Sequence, residues 1–239
     1  MQEIDPLFVR NLSAHAPFSS EERTLITTAL STSVRDVPAK QDIVREGDVP
    51  RSVKIVIEGW VARYKELPDG HRQILALMVP GDICDANAFI LEKMDHSLGT
   101  LTHVRYAEIF PNDFEVLITS SPNIAKALWR SKLVTLSIQR EWTLNIGQRQ
   151  AKQRIAHLLC EMATRLSRIG LSTPDSCEFP LTQAQIGEAT GLTVVHVNRV
   201  LQEMKAAGLA ELRDRRLYLL NMEGLYDLAM FNRAYLHVQ

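Results

Sequence analysis

The sequence predicts an α+β protein: a sandwich, barrel or roll of short strands, then a long helix, then a C-terminal helix-turn-helix with a β-hairpin wing. Three patterns carry this prediction. Short apolar runs separated by turn residues fill the stretch from Val37 to Phe110, a heptad-like helical pattern follows Pro122, and two closely spaced helix signals begin after Leu181. A period of two residues is typical of strands, and a period of 3.6 residues is typical of helices.

The composition is that of a globular protein. The chain has 239 residues, of which 46% are hydrophobic and 23% are charged, and this apolar content excludes an intrinsically disordered chain. The length allows one large domain or two smaller ones. The net charge of −1 is far from that of a small basic nucleic-acid module, so charge alone indicates no partner.

Cysteine usage and the N-terminal sequence predict where the protein works. Cys84, Cys160 and Cys177 are widely separated, which excludes a disulfide framework and the close ligand spacing of a metal site. The N-terminus is acidic and lacks the apolar segment of a signal peptide. No apolar run approaches the ~18 residues that span a bilayer. We therefore expect a cytoplasmic protein with no membrane partner, no metal and no cofactor.

The N-terminal part is predicted to be helical and then β-rich. Residues 1 to about 35 form short helices, one of which begins with the capping-box spacing of Ser19 and Glu22. From Val37 onward, turn residues recur every 8–12 residues. Pro68-Asp69-Gly70 lies between two strand-like runs and predicts a hairpin, because Pro fixes φ and Gly accepts positive φ.

A long helix is predicted from about residue 123 to residue 146, where Gly147 interrupts it, and a further helix runs from about 149 to 167. A seam with alternating spacings of four and three residues is typical of a helix that pairs with another helix. The predicted dimer interface consists of Leu128, Ser131, Thr135, Ile138 and Trp142. The alternative is an amphipathic helix that packs on its own domain. A second stripe lies beside the first, so one stripe can face the domain and the other a partner: Trp129, Leu133, Leu136, Arg140 and Leu144.

The segment 181–209 has the pattern of a helix-turn-helix. Thr182 and Gln185 form a capping box, Gly191 ends the first helix, and Thr193 caps the second. The second helix has its core face at Val197, Val200, Leu201 and Met204. A hairpin with a basic tip follows, which predicts a wing. The alternative is an ordinary αα-hairpin followed by a β-hairpin.

This motif predicts contact with double-stranded DNA, since the second helix of a helix-turn-helix enters the major groove. Arg199 can donate two hydrogen bonds to a guanine, His196 can donate to a base or a phosphate, and a valine can contact a thymine methyl group. Residues at the start of the first helix and on the wing are placed to contact phosphates. The predicted DNA-binding residues are Thr182, Gln183, Thr193, Val194, Val195, His196, Arg199, Gln202, Arg213, Arg215 and Arg216. One such motif binds too weakly alone, so a homodimer that reads two half-sites is expected.

Taken together, these motifs resemble those of the catabolite-activator/FNR (Crp/Fnr) family of bacterial transcription regulators. Arg45-Glu46-Gly47-Asp48, Ile57-Glu58-Gly59 and Pro80-Gly81-Asp82 resemble glycine turns of the family's cyclic-nucleotide-binding β-roll, and 181–209 resembles its winged helix-turn-helix. The resemblance covers nearly the whole chain. It implies a β-roll (jelly-roll) sensor domain over 1–121, a dimerisation helix over 122–147 and a DNA-binding domain over 148–239, and it leaves RNA polymerase open as a further partner.

The effector pocket departs from the family pattern. Members that bind cyclic nucleotides carry a ribose-binding Gly-Glu and a phosphate-binding arginine, whereas this chain has Asp85, Ala86 and Asn87 in the first place and His96 and Ser97 in the second. A phosphate beside carboxylates without an arginine is poorly compensated. We expect a pocket that has lost cAMP binding; the alternative is a regulator that binds another small molecule or a modified nucleotide. No catalytic motif is present in the sequence, which argues against an enzyme.

Overall fold

A computed structural model describes residues 6–14, 16–85 and 90–237. The chain divides into two compact units. The first comprises Met1–His71 and Leu75–Thr135, and the second comprises Arg72–Ile74 and Leu136–Gln239. The division falls within a long helix, between Thr135 and Leu136.

The first unit is a roll of two sheets covered by helices. Two short helices precede it, α1 (Pro6–Ser13) and α2 (Ser20–Ser31), and the capping box of Ser19 and Glu22 is confirmed at the start of α2. The strands are β1 (Val34–Val37), β2 (Asp42–Val44), β3 (Val53–Glu58), β4 (Val61–Glu66), β5 (Arg72–Met78), β6 (Ser97–Thr100) and β7 (Val104–Ile109). One sheet has the order β1-β7-β3 and the other β2-β6-β4-β5.

Turn chemistry and burial explain the roll. The predicted turn at Pro68-Asp69-Gly70 joins neighbouring strands β4 and β5, and Gly70 donates its N–H to the carbonyl of Leu67. One apolar core cluster lies in the roll and includes Val56, Val61, Met78 and Leu98. A second cluster lies where the N-terminal helices pack against β3 and β7.

Two helices follow the roll: α3 (Pro111–Ser120), which the sequence analysis leaves unassigned, and α4 (Pro122–Gln148). The long helix is confirmed, but it continues through Gly147. The predicted interface seam is wrong for two residues, because Leu128 packs in the second core cluster and the indole Nε1 of Trp142 donates to the carboxylate of Glu161 at 3.0 Å. Ser131, Thr135 and Ile138 are half-buried. The neighbouring stripe is exposed instead, by 64%, 56%, 41% and 46% at Trp129, Leu133, Leu136 and Leu144.

The second unit is a winged helix. Helix α5 (Ala151–Arg168) is its most buried element, and α6 (Gln183–Thr190) and α7 (Val194–Ala206) form the helix pair. The wing strands are β9 (Ala210–Arg213) and β10 (Arg216–Leu219). Residues 170–178 are predicted as a loop, but β8 (Ser176–Glu178) pairs with β10 and gives the sheet a third strand.

The C-terminal segment returns to α5. After the wing, α8 (Met222–Ala229) and a 3-10 turn (Arg233–Leu236) follow. The hydroxyl of Tyr235 donates to Oε2 of Glu161 at 2.8 Å, and its ring stacks on the ring of His157. Glu161 has no exposed surface and also accepts hydrogen bonds from Trp142 and Arg165. This buried polar cluster ties the C-terminal segment to the core of the unit.

No helix in the ranges that the structure describes is long and apolar enough to cross a membrane.

Candidate functional site

The first helix of the predicted motif is fixed at both ends by the predicted residues. The hydroxyl of Thr182 accepts the backbone N–H of Gln185 at 3.2 Å, and the side chain of Gln185 accepts the N–H of Thr182 at 2.8 Å. Gly191 ends α6 with φ 66°, the left-handed conformation in which a glycine is least strained. Both predictions are confirmed.

The turn between the helices depends on a second glycine that the sequence analysis leaves out. A Cβ at Gly187 would lie 2.4 Å from the carbonyl oxygen of Leu192, a distance too short for any side chain. The absence of a side chain therefore lets the turn pack directly on α6. The signal in the sequence is a glycine inside a helix, four residues before the glycine that ends it.

The recognition helix α7 is amphipathic in the predicted sense. Thr193 caps it by accepting the N–H of His196 at 3.3 Å, and Val197, Val200 and Met204 are buried while Leu201 is half-buried. Val194 is 49% exposed and Val195 81% exposed. Contact between an apolar side chain and water is unfavourable. The exposure of these two valines therefore favours an apolar contact with a binding partner.

Arg199 lies on the exposed face with its side chain 67% accessible. Its Nε lies 4.0 Å from Oε1 of Glu203 one turn later, and the same carboxylate lies 3.6 Å from Nζ of Lys152. Such long contacts between exposed groups contribute little to stability, so the guanidinium remains available to another acceptor. Gln202 is also exposed, whereas His196 is half-buried.

Asn198 belongs to the same face, although the sequence analysis leaves it out. Val195, Asn198, Arg199 and Gln202 have the i, i+3, i+4, i+7 spacing of one helix face, and this spacing was the available signal. The side-chain nitrogen of Asn198 donates to Oε1 of Gln183 at 3.2 Å. The two helices of the motif are thus joined on their exposed side, and Thr182 lies beside this contact at the start of α6.

The wing places its three arginines differently. Asp214 and Arg215 form the turn of the hairpin with φ of 52° and 57°, and the Arg215 side chain is exposed. The guanidinium of Arg213 is also exposed and lies 4.8 Å from the ring centre of Tyr218. Arg216 is half-buried and donates to the hydroxyl of Ser176 on β8 at 2.9 Å.

At the position predicted as the effector pocket, the described side chains of the roll contact one another. Arg63 donates to Oδ1 of Asp85 at 2.8 Å and to the carbonyl of Cys84. His96 lies between two carboxylates, with Nε2 2.9 Å from Asp85 and Nδ1 2.6 Å from Asp95. The hydrogen bond from His96 lowers the pKa of Asp95. Arginine is therefore present here, from strand β4, but Asp85 already pairs with it.

Within the described residues, two small cavities border this ionic cluster of Arg63, Asp85, His96 and Asp95. A cavity of about 10 Å³ lies on its inner side and another of about 10 Å³ lies between it and α4, and each volume corresponds to about one water molecule. Ser97 is occupied as well, since its hydroxyl accepts the N–H of Glu46 at 3.0 Å. The remaining predicted pocket residues, Ala86 and Asn87, lie outside the described residues.

Two family models match the two parts of the chain. The Crp-like helix-turn-helix domain matches residues 153–228, and the cyclic nucleotide-binding domain matches residues 34–121. The transcriptional activator protein FnrL of Cereibacter sphaeroides is 26% identical over 211 residues, which covers 87% of this chain and 84% of FnrL. The chain belongs to the Crp/Fnr family of transcription regulators. It is a DNA-binding regulator and not an enzyme.

Other Crp/Fnr proteins support the assignment. The nitrogen fixation regulation protein FixK of Bradyrhizobium diazoefficiens is 26% identical over 168 residues, 70% of each chain. The solved structure of FixK2 from Bradyrhizobium japonicum has the same fold, with a TM-score of 0.74 and 24% identity over 82% of this chain and 96% of that chain. The α+β fold of β-roll and winged helix-turn-helix is thus confirmed.

Proposed function

We propose that this Crp/Fnr regulator binds DNA as a homodimer and reads a pseudo-palindromic operator with one α7 helix in each half-site. The observation that carries the proposal is the exposed apolar stripe of α4. A monomer in water rarely leaves several large apolar side chains in one row, and such a row is typical of a surface that another chain covers. In a closed dimer the same stripe of each protomer meets its copy.

The roles at the operator follow from exposure and chemistry. Arg199 reads a guanine through O6 and N7, and Val194 and Val195 contact thymine methyl groups. His196 and Gln202 are placed beside the groove. Phosphates are contacted by the N-terminal residues of the two helices and by the wing: Thr182, Gln183, Thr193, Arg213, Arg215 and Arg216. Among the wing arginines, Arg216 contributes least, because Ser176 already holds its guanidinium.

The β-roll acts in this proposal without cAMP. Arg63 and His96 already contact carboxylates of the cluster, although the buried Nε of Arg63 has no partner among the described residues. The two cavities described beside the cluster are far smaller than the 300 Å³ or more of a typical ligand site. A ligand of another kind remains an outcome of the titration described in the Discussion. The protein works in the cytoplasm, where its DNA partner lies. Because FnrL is a transcriptional activator by name, RNA polymerase is proposed as a further partner.

The dimer is tested by charging the exposed stripe. Replacing Leu133 and Leu136 with glutamate places four carboxylates in one interface, so the double variant should elute as a monomer on a sizing column and lose specific DNA binding. Leu67 is a large exposed apolar residue in the turn between β4 and β5, away from α4, and Leu67→Glu should remain dimeric. Dimers of the double variant that persist at low micromolar concentration would contradict the proposal.

A further inference from the structure

Gln183 and Asn198 form a contact between the two helices of the helix-turn-helix on the side that faces outward. Asn198 is exposed on α7, and Gln183 is the first residue of α6 and is half-buried. The amide nitrogen of Asn198 donates to the amide oxygen of Gln183 at 3.2 Å. The two residues are 15 positions apart, so the contact depends on the geometry of the turn.

The contact uses only part of the hydrogen-bonding capacity of Asn198. A carboxamide carries two N–H donors and one oxygen acceptor. One N–H is taken by Gln183, and within the described ranges the second N–H and the oxygen have no protein partner. A donor and an acceptor side by side in one plane match the N7 acceptor and the N6 donor of adenine in the major groove.

We infer that Gln183 is a positioning residue that orients Asn198, and that Asn198 reads an adenine in each half-site. The inference rests on the proposed function, because it concerns the same reading face. The rotation of an exposed asparagine side chain is otherwise unrestrained, and fixing it before DNA arrives reduces the entropy lost on binding. Asn198 lies between Val195 and Gln202 on the exposed face, beside Arg199, so it reaches the same groove.

The proposed pair predicts two different losses of base discrimination. Without the Asn198 amide, preference for adenine at one base pair in each half-site should fall roughly 5- to 150-fold. Without Gln183, the amide of Asn198 is present but no longer held, so preference at the same base pair should fall only about 2- to 10-fold. Because both changes act on one contact, the double variant should lose no more discrimination than Asn198→Ala alone.

The experiment uses the full-length protein and a duplex pool randomised across both half-sites. Bound duplexes are sequenced for the wild type, Asn198→Ala, Gln183→Ala, their double variant and Gln183→Glu, and affinities are then measured on single-base variants of the selected duplex. Gln183→Glu keeps the acceptor oxygen, so it should retain the adenine preference while its new charge weakens binding to every duplex. Lys205→Ala is the control, because Lys205 lies at the C-terminal end of α7 and pairs with Glu211 at 2.7 Å, and it should leave this base pair unaffected. Thermal unfolding verifies that each variant is folded.

Each result decides one part of the proposal. If Asn198→Ala weakens all duplexes by one factor, Asn198 reads no base and the inference is wrong. If Gln183→Glu loses the adenine preference as fully as Gln183→Ala, or if Gln183→Ala loses none, the positioning role is wrong. A wild type that selects no palindromic motif would instead overturn the proposed function, and the inference with it.

Discussion

The β-roll and the recognition helix use polar side chains in opposite ways. In the roll, the side chains of Arg63, Asp85 and His96 are only 10–14% exposed and bind one another. On α7, Asn198 and Arg199 are exposed and retain donors and acceptors that no group in the described part of the chain fully uses. Groups that satisfy one another stabilise a fold, whereas groups left open can select a partner. The comparison indicates that this protein recognises DNA with the second region and holds the first closed.

The largest expected effect on stability comes from disrupting the ionic cluster of the β-roll. Asp85→Ala removes the shared partner of Arg63 and His96 and leaves the Arg63 guanidinium mostly buried without its carboxylate, which should lower the free energy of unfolding by about 3–5 kcal/mol. Urea unfolding measures this. The control is Asp69→Ala, because Asp69 and His71 form an exposed pair whose loss should leave the urea unfolding curve nearly unchanged. Equal effects of the two substitutions would show that the ionic cluster is not the closed element described above.

Substitutions on the DNA-reading surface should change the affinity for DNA rather than the free energy of unfolding. Arg199→Ala should cost about 1–3 kcal/mol of binding free energy and relax discrimination at one base pair in each half-site. Arg215→Ala should weaken all sequences alike and reduce the slope of log K against log salt by about one unit per phosphate contact. Binding to the selected duplex and its single-base variants at several salt concentrations measures both. A uniform loss for Arg199→Ala, with altered base preference for Arg215→Ala, would reverse these roles.

The winged unit also contains a buried polar cluster, around Glu161 and His157. The contrast is therefore between polar groups in the interior and polar groups on the DNA-reading face. Burial lowers the pKa of His157 to about 3, from 6.5 in the unfolded chain. Between these values only the unfolded chain binds the proton, so acidification favours unfolding and this residue should cost about 2 kcal/mol of stability at pH 5 relative to pH 7 or above. His157→Gln should remove that part of the pH dependence, as measured by urea unfolding from pH 7 to pH 5.

Glu161 should change the stability with pH in the opposite direction to His157. Burial raises its pKa, so its contribution is present at low pH and is lost as the pH rises through the folded-state value. The two groups therefore act in opposite directions, and only the difference between wild type and His157→Gln isolates the histidine. A variant with an unchanged pH dependence would contradict the assignment.

The smallest expected effect is that of cAMP. Since the ionic cluster leaves cavities of only about 10 Å³ on either side, cAMP should change neither the melting temperature nor DNA binding. Isothermal titration and DNA binding with and without cAMP test this. If cAMP binds with low-micromolar affinity and strengthens DNA binding, the ionic cluster of the β-roll must open to admit it. The same assay with other nucleotides tests the alternative ligands.

The parts of the protein that local sequence determines were predictable. Caps at Ser19, Thr182 and Thr193 and the turn at Gly191 depend on residues within a few positions of one another, and the structure has each of them. The three-residue strand β8 is too short to show a period, which explains why it was predicted as a loop.

Contacts between distant residues were not predictable in the same way. Arg63 and Asp85 are 22 positions apart, and Trp142 and Glu161 are 19 apart, so no spacing rule connects them. The two stripes of α4 are both apolar, and only the packing of Leu128 and Trp142 decides which stripe is covered by the chain itself. Asn198 is an exception, because its helical spacing was sufficient to predict its exposure, although it was not among the predicted DNA-binding residues.

The C-terminal segment sets a practical limit on how this protein can be divided. The family match ends at residue 228, yet Tyr235 donates to the carboxylate of Glu161 and Leu236 is only 1% exposed. A fragment that ends at residue 228 would lack the Tyr235 hydroxyl that donates to the buried Glu161 carboxylate and the Tyr235 ring that stacks on His157. Exchange of DNA-binding modules between relatives would therefore succeed only if the transplanted piece extends through the last turn, so a boundary drawn from similarity is not a boundary of cooperative folding.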